Sequence, residues 1–215
     1  MKTTNEIKDI KKFFDGYSYT FDSIYSSDLS KRNSFQKIID KNFRKSMFGR
    51  YELTFKYIKK FEVNSILDIG CGSGIYSNKL ADEGYKVTGV DVAPNMIELA
   101  RKYSNNSDNP IYQISDFLDI DEGKFDVSIL MGFFDYVSDV DIVFQKLKKT
   151  TSKIILGSFP KDTGFLALQR KIRYKIRNCP LYLYSRESLE QSVIKHFNNF
   201  EIINNDREFF LVVKI

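Results

Sequence analysis

The chain has 215 residues, with 33 Lys+Arg against 28 Asp+Glu (net charge +5), one His and two Cys. This length suits one domain with an appendage, and 42% hydrophobic with 28% charged residues excludes a disordered chain. No run reaches the roughly 18 apolar residues of a membrane span, and the first residues lack the apolar stretch of a signal peptide. Cys71 and Cys179 lie far apart and form no disulfide framework, so a cytoplasmic chain without a Cys/His zinc site is expected.

Charge is unevenly spread. Residues 1–62 carry 14 basic and 8 acidic side chains, residues 63–160 carry 9 and 14, and residues 161–215 carry 10 and 6. An acidic middle between basic flanks suggests that the flanks and the core have different tasks. Residues 1–62 read as helical, with Ile7, Ile10, Phe13 and Phe14, then Phe35, Ile38 and Ile39 at helical spacing. Between them, FFDGYSYTFDSIYSSD (13–28) alternates aromatic and small polar residues.

From Ser65 the pattern changes. Strands are predicted at 65–70, 86–91, 109–115, 125–131 and 153–159, with helices at 75–83, from Pro94 to Tyr103, and at 139–149. After Pro160 come a basic helix at about 164–177, a helix at 185–197, and strands near 200–204 and 208–214. Strands alternating with helices of this length imply βαβ units: an α/β fold with a mostly parallel sheet covered on both faces.

The most informative stretch is LDIGCGSG (67–74), between a predicted strand and a predicted helix. Gly70, Gly72 and Gly74 let the backbone turn tightly and approach a ligand without an intervening Cβ. The helix that follows points its first N–H groups at whatever sits there. Asp91 ends the second strand, 19 residues after Gly72. An acid at that position bonds ribose hydroxyls in doubly wound folds. A dinucleotide-binding loop would need its third glycine at position 75, where Ile75 stands. This disfavours a nicotinamide-dependent oxidoreductase.

The order D-x-G-x-G-x-G, with Asp68 ahead of the first glycine, resembles motif I of the class I S-adenosylmethionine-dependent methyltransferases. The resemblance runs over residues 64–160 in several motifs. It implies a doubly wound, mostly parallel seven-stranded sheet with an antiparallel last strand. It also implies an N-terminal helical cap (1–62) and a Rossmann-like domain (63–215) with a helical substrate-side insertion at 160–197. Carried over residue by residue, Asp68, Gly70, Cys71, Gly72, Ser73 and Gly74 hold the methionine end of the cofactor, and Asp91 holds the ribose. Val92 and Met96 flank the adenine, Asp116 accepts from its amino group, and Phe117 lies beside its ring. Met131 and Gly132 line the site after the fourth strand.

The aromatic-Asp pairs Phe14-Asp15 and Phe21-Asp22 resemble the N-terminal segment of quinone-biosynthesis-type methyltransferases, which covers the cofactor. Aromatic faces near a sulfonium gain cation–π attraction, so Tyr17 and Tyr19 are site candidates, and Arg50 is a candidate for the cofactor carboxylate. Asp135 and Tyr136, just after the fourth strand, are the catalytic candidates together with Tyr17. Phe133, Phe134, Phe159 and Tyr174 are expected to wall the acceptor pocket. His196 reads as structural, because it sits among apolar residues before the final strand.

The segment RKIRYKIR (170–177) carries five cations around Ile172 and Ile176. It suits an anionic substrate, a membrane surface or a solvated helix face. The MGFFDY sequence after the fourth strand lacks the Asn/Asp-Pro-Pro-aromatic motif of nucleic-acid amine methyltransferases. The expected activity is therefore transfer of a methyl from S-adenosylmethionine to O or N of a small-molecule acceptor, leaving S-adenosylhomocysteine, with no metal. Two alternatives stay open: an RNA methyltransferase using the basic flanks, and an inactive methyltransferase-like scaffold. The sequence leaves monomer and homodimer undecided.

Overall fold

The seven predicted strands hydrogen-bond into one sheet in the order β3-β2-β1-β4-β5-β7-β6. They are β1 (Ser65–Ile69), β2 (Lys86–Asp91), β3 (Ile111–Ile114), β4 (Phe125–Leu130), β5 (Thr151–Pro160), β6 (Phe200–Asn205) and β7 (Glu208–Lys214). The first five run parallel, and β7 enters antiparallel between β5 and β6. The computed structural model describes residues 8, 10–14, 47–106, 108–120, 123–176 and 179–215. Its helices are α1 (10–14), α2 (47–58), α3 (Ile75–Asp82), α4 (Pro94–Lys102), α5 (Val140–Thr150), α6 (Phe165–Ile176) and α7 (Arg186–Ile194).

The strands are near-continuous apolar runs because both faces of the sheet are covered. Along β1 and β7 the pleat sends alternate residues to opposite sides. Leu67, Ile69, Leu211 and Val213 join a core with Phe144 and Leu147 of α5 and Leu189 and Val193 of α7. Ile66, Phe210 and Val212 join a second core with Leu80 of α3 and with Phe55, Tyr57 and Ile58 of α2. Helix α2, from the basic N-terminal flank, therefore packs directly on the sheet.

The helix ends follow local chemistry. Pro94 opens α4, where a missing N–H costs nothing. Asp139 caps α5 by accepting from the Ile142 N–H, and Ser185 and Ser188 form a reciprocal capping box at α7. Strand β5 begins at Thr151, directly behind α5 and earlier than its apolar run suggests. The Thr151 hydroxyl lies 2.7 Å from that of Ser128 on β4, which satisfies two fully buried polar groups.

Phe134 and Phe159, expected at the acceptor wall, are instead core residues. Both are 0% exposed, and their rings stack 3.9 Å apart between centroids, with Phe144 against both. A 3-10 turn at Phe134–Tyr136 folds the first ring under the sheet end, and the pleat of β5 turns Phe159 to the same side. Phe159→Ala should lower the free energy of unfolding by about 3–5 kcal/mol, because it removes a ring that nothing nearby can replace. Urea denaturation followed by circular dichroism measures this, and a loss below about 1 kcal/mol would contradict the packing role.

Candidate cofactor and acceptor site

Strand order reverses between β1 and its neighbours β2 and β4, and the crevice beyond their carboxyl ends is where doubly wound folds bind ligands. A cavity of about 190 Å³ lies there. The loop after β1 forms one wall. The N–H groups of Gly70 and Cys71 both donate to the Val90 carbonyl, at 2.8 and 3.1 Å, tying the loop to the end of β2. Gly70 and Gly72 have φ of 68° and 53°, left-handed backbone that a side chain would strain. A Cβ on Gly70 would sit 2.9 Å from the Phe133 ring, whereas one on Gly72 would meet no atom within 4 Å. Open space therefore lies directly over Gly72.

The Asp91 carboxylate is fixed at the end of β2. One oxygen accepts from the Gly72 N–H at 2.9 Å, and the other accepts from the Ala93 N–H at 2.9 Å. Farther along the same wall lie Val92, Met96, Ser115, Asp116 and Phe117. Asp116 caps the 3-10 turn at Phe117–Asp119 by accepting from the Leu118 N–H at 3.0 Å, which holds its carboxylate at the cavity edge.

Asp68 is 2% exposed beneath the loop and accepts from the Ser77 hydroxyl at 2.6 Å. Burial, with the Asp91 charge added, pushes its pKa up to about 7 despite the Ser77 hydrogen bond.

The opposite end of the cavity is charged and aromatic. Met131, Gly132, Phe133, Asp135 and Tyr136 come from the segment after β4, and Arg170 and Tyr174 come from α6. Arg170 donates to Asp135 at 2.8 Å, and the two side chains are only 17% and 7% exposed. The Tyr136 and Tyr174 hydroxyls lie 2.9 Å apart, and burial holds the Tyr136 phenol well above its usual pKa. Phe14 of α1 meets the Tyr136 ring edge-on at 5.1 Å. Beside this cluster, Arg50 of α2 donates to the Tyr76 hydroxyl, the Ser158 hydroxyl and Glu208, at 3.3, 3.2 and 3.3 Å. Burial raises the Glu208 pKa, and its arginine neighbours oppose the rise.

The structure thus brings Asp68, Gly70, Cys71, Gly72, Ser73, Asp91, Val92, Met96, Asp116, Phe117, Met131, Gly132, Phe133, Asp135, Tyr136, Tyr174 and Arg50 to one cavity. Tyr17 and Tyr19 lie outside the described residues. Gly74, expected at the cofactor, does not line the cavity. A Cβ there would sit 2.3 Å from the Tyr112 hydroxyl and 2.9 Å from Ala100, so the glycine serves the packing of α3 against α4 and β3. Cys71 faces both ways, lining the cavity while packing with Ile97, Ala100 and Tyr112. His196 is remote from the cavity lining and bonds Asp141 at 2.9 Å.

Sequence reasoning missed Glu208, Arg207 and Tyr76, and it read Arg170 only as part of a basic run. The available signal was the four-residue spacing of Arg170 and Tyr174, which puts both on one helix face. Glu208 carried no signal, since its placement depends on the pairing of β7 with β5 opposite Pro160.

Residues 67–153 match the family described as methyltransferase domain. A curated relative, the ubiquinone biosynthesis O-methyltransferase of Hydrogenovibrio crunogenus, is 31% identical over 126 residues, covering 53% of this chain and 52% of that protein. The chain thus spans about half the length of the curated relatives it matches. Among solved structures, magnesium protoporphyrin IX methyltransferase from Synechocystis PCC 6803 with bound SAH superposes with a TM-score of 0.73 at 16% identity, covering 97% of this chain and 98% of that one. A SAM-dependent methyltransferase from Thermotoga maritima gives 0.69 at 14% identity, covering 95% and 99%. Residues 67–153 thus match a methyltransferase domain, and the seven-stranded sheet has the fold of these solved methyltransferases.

Two outcomes test the electrostatics of the cavity. The Asp68 carboxyl has a folded-state pKa of about 7, above its reference value of 3.8, so its contribution to stability is full below about 3.8 and is lost as pH rises through about 7. Asp68→Asn, which keeps an acceptor for Ser77, should abolish that part of the decline when unfolding free energies are compared across this range. Equal pH slopes for the two proteins would refute the assignment. Asp135→Ala leaves the Arg170 guanidinium buried without its partner and should cost about 3–5 kcal/mol of stability. Asp135→Leu combined with Arg170→Met should cost clearly less, and chemical denaturation of the three proteins decides.

Proposed function

We propose that this chain is an active methyltransferase that binds S-adenosylmethionine in the cavity and methylates an oxygen of a small-molecule acceptor. The observation that carries this reading is the continuity of the cavity. A glycine loop open over Gly72 and an acid fixed at the end of β2 share one space with the Asp135–Arg170–Tyr136–Tyr174 cluster. The match of residues 67–153 to a methyltransferase domain and the O-methyltransferase names of the relatives support it.

The residues present fit the cofactor. Backbone at Gly70–Ser73 cradles its methionine end, Asp91 takes the ribose hydroxyls, and Val92, Met96 and Phe117 enclose the adenine with Asp116 at its amino group. Arg50, which lines the same cavity, is the candidate for the cofactor carboxylate, and Asp91 supplies negative charge toward a sulfonium. When bound, the cofactor supplies an electrophilic methyl group on sulfur.

The chain's own contribution is orientation and exclusion of water. Asp135 accepts from Arg170, and burial holds the Tyr136 phenol protonated. An acceptor oxygen that ionises readily by itself, as in an acidic phenol or a carboxylic acid, fits this end of the cavity. Arg170 and Tyr174, on the α6 side, place it.

Calorimetric titration with S-adenosylhomocysteine tests the cofactor assignment. Wild-type protein should bind, and Asp91→Ala should bind about 10–100-fold more weakly, as expected for losing hydrogen bonds to a charged group. The mutant's melting temperature separates this effect from unfolding. Wild-type protein that binds neither S-adenosylmethionine nor S-adenosylhomocysteine would overturn the reading.

A further inference from the structure

Helix α6 has two unlike faces. Ala167, Arg170 and Tyr174 turn inward: Ala167 is 6% exposed, and the other two line the cavity. At about 100° per residue, Ile172 lies about 200° from both Arg170 and Tyr174, on the opposite side of the helix. There Leu168, Ile172 and Ile176, each four residues from the next, are 57%, 55% and 77% exposed. These are three of the nine large apolar side chains exposed among the described residues, and they form one stripe. A contiguous apolar stripe on a surface helix marks an interaction site.

The charge around the stripe identifies its occupant. From Thr163 to Ser185 the chain contains no Asp or Glu and five Lys or Arg. Arg170 is turned inward onto Asp135, while Lys171 and Lys175 are exposed one position before Ile172 and Ile176. Large aliphatic side chains bordered by lysines, on a helix of 12 residues, match a helix that lies in the boundary between lipid headgroups and acyl chains. RNA fits less well. It would meet the cations but gain nothing from three aliphatic side chains, and it is bound through stacking aromatics that this stripe lacks.

We propose that the outer face of α6 docks on an anionic lipid surface, with Leu168, Ile172 and Ile176 inserted among the acyl chains and Lys171 and Lys175 at the headgroups. Because the inner face of the same helix lines the cavity, docking sets that end of the cavity one helix diameter from the lipid. The inference rests on α6 alone and stands or falls apart from the methyl-transfer reading.

Co-sedimentation of the full chain with vesicles tests it, using phosphatidylcholine alone and phosphatidylcholine mixed with phosphatidylglycerol. The protein should pellet with the mixed vesicles, stay in solution with phosphatidylcholine alone, and be released by added salt. Ile172→Glu with Ile176→Glu should abolish pelleting, and Lys171→Glu with Lys175→Glu should do the same. Both pairs are exposed, and each variant should keep the wild-type melting temperature and its S-adenosylhomocysteine affinity. Equal pelleting with both vesicle types, or pelleting that survives either double substitution, overturns the proposal. So does a wild-type dimer in sedimentation velocity that the isoleucine variant dissociates, or binding of single-stranded RNA in place of vesicles.

Discussion

The hydrogen bonds that bind the loop after β1 to the end of β2 organise everything near the cavity. Gly70 and Cys71 share the Val90 carbonyl, and Gly72 donates to the Asp91 carboxylate, so two neighbouring strand ends and the loop between β1 and α3 form one rigid corner. The left-handed conformation at Gly70 and Gly72 makes these bonds geometrically attainable, and it requires residues without a side chain. With the corner fixed, the start of α3 is fixed. Asp68 is then enclosed beneath it, and its carboxyl is left with the Ser77 hydroxyl and little water. A ligand reaching this corner meets backbone and carboxylates already in position and pays little to order them.

The far end of the cavity is held by a different kind of force. Arg170 with Asp135, and Arg50 with Glu208, are ion pairs removed from bulk water. Such pairs contribute little net stability compared with apolar replacements, yet each is costly to break once formed. Their effect here is positional. They tie α6 to the segment after β4, and α2 to β7, which closes the cavity with elements from distant parts of the chain. Tyr136 and Tyr174 repeat the α6 connection through their hydroxyls, and the α1 ring of Phe14 presses against the same tyrosine.

Much of this was legible in the amino-acid order. Strands β2 and β7 were read at their observed limits, and β1, β4 and β6 to within a residue, because strands covered on both faces are short apolar runs bounded by glycine or charge. The glycine loop and Asp91 were equally plain, since their function depends on backbone freedom and on spacing within a single βαβ unit. Phe134 and Phe159 were misplaced, as was Gly74, for a common reason. Sequence position told that each lay near a strand or helix end, but not which side of the pleat the ring took or what stood opposite the glycine.

What the sequence determined by its local order is the class of fold, the glycine-loop corner and the basic amphipathic character of α6. These arise from periodicity, glycine placement and charge runs within about 30 residues of chain, as in one βαβ unit. Only the tertiary structure decided the far end of the cavity. Arg170 meets Asp135 across 35 residues and Arg50 meets Glu208 across 158, with β7 delivering Glu208 through its antiparallel pairing with β5. No local pattern encodes such a meeting, because it follows from the order in which the strands assemble and from which charged groups are left facing one another when the sheet closes.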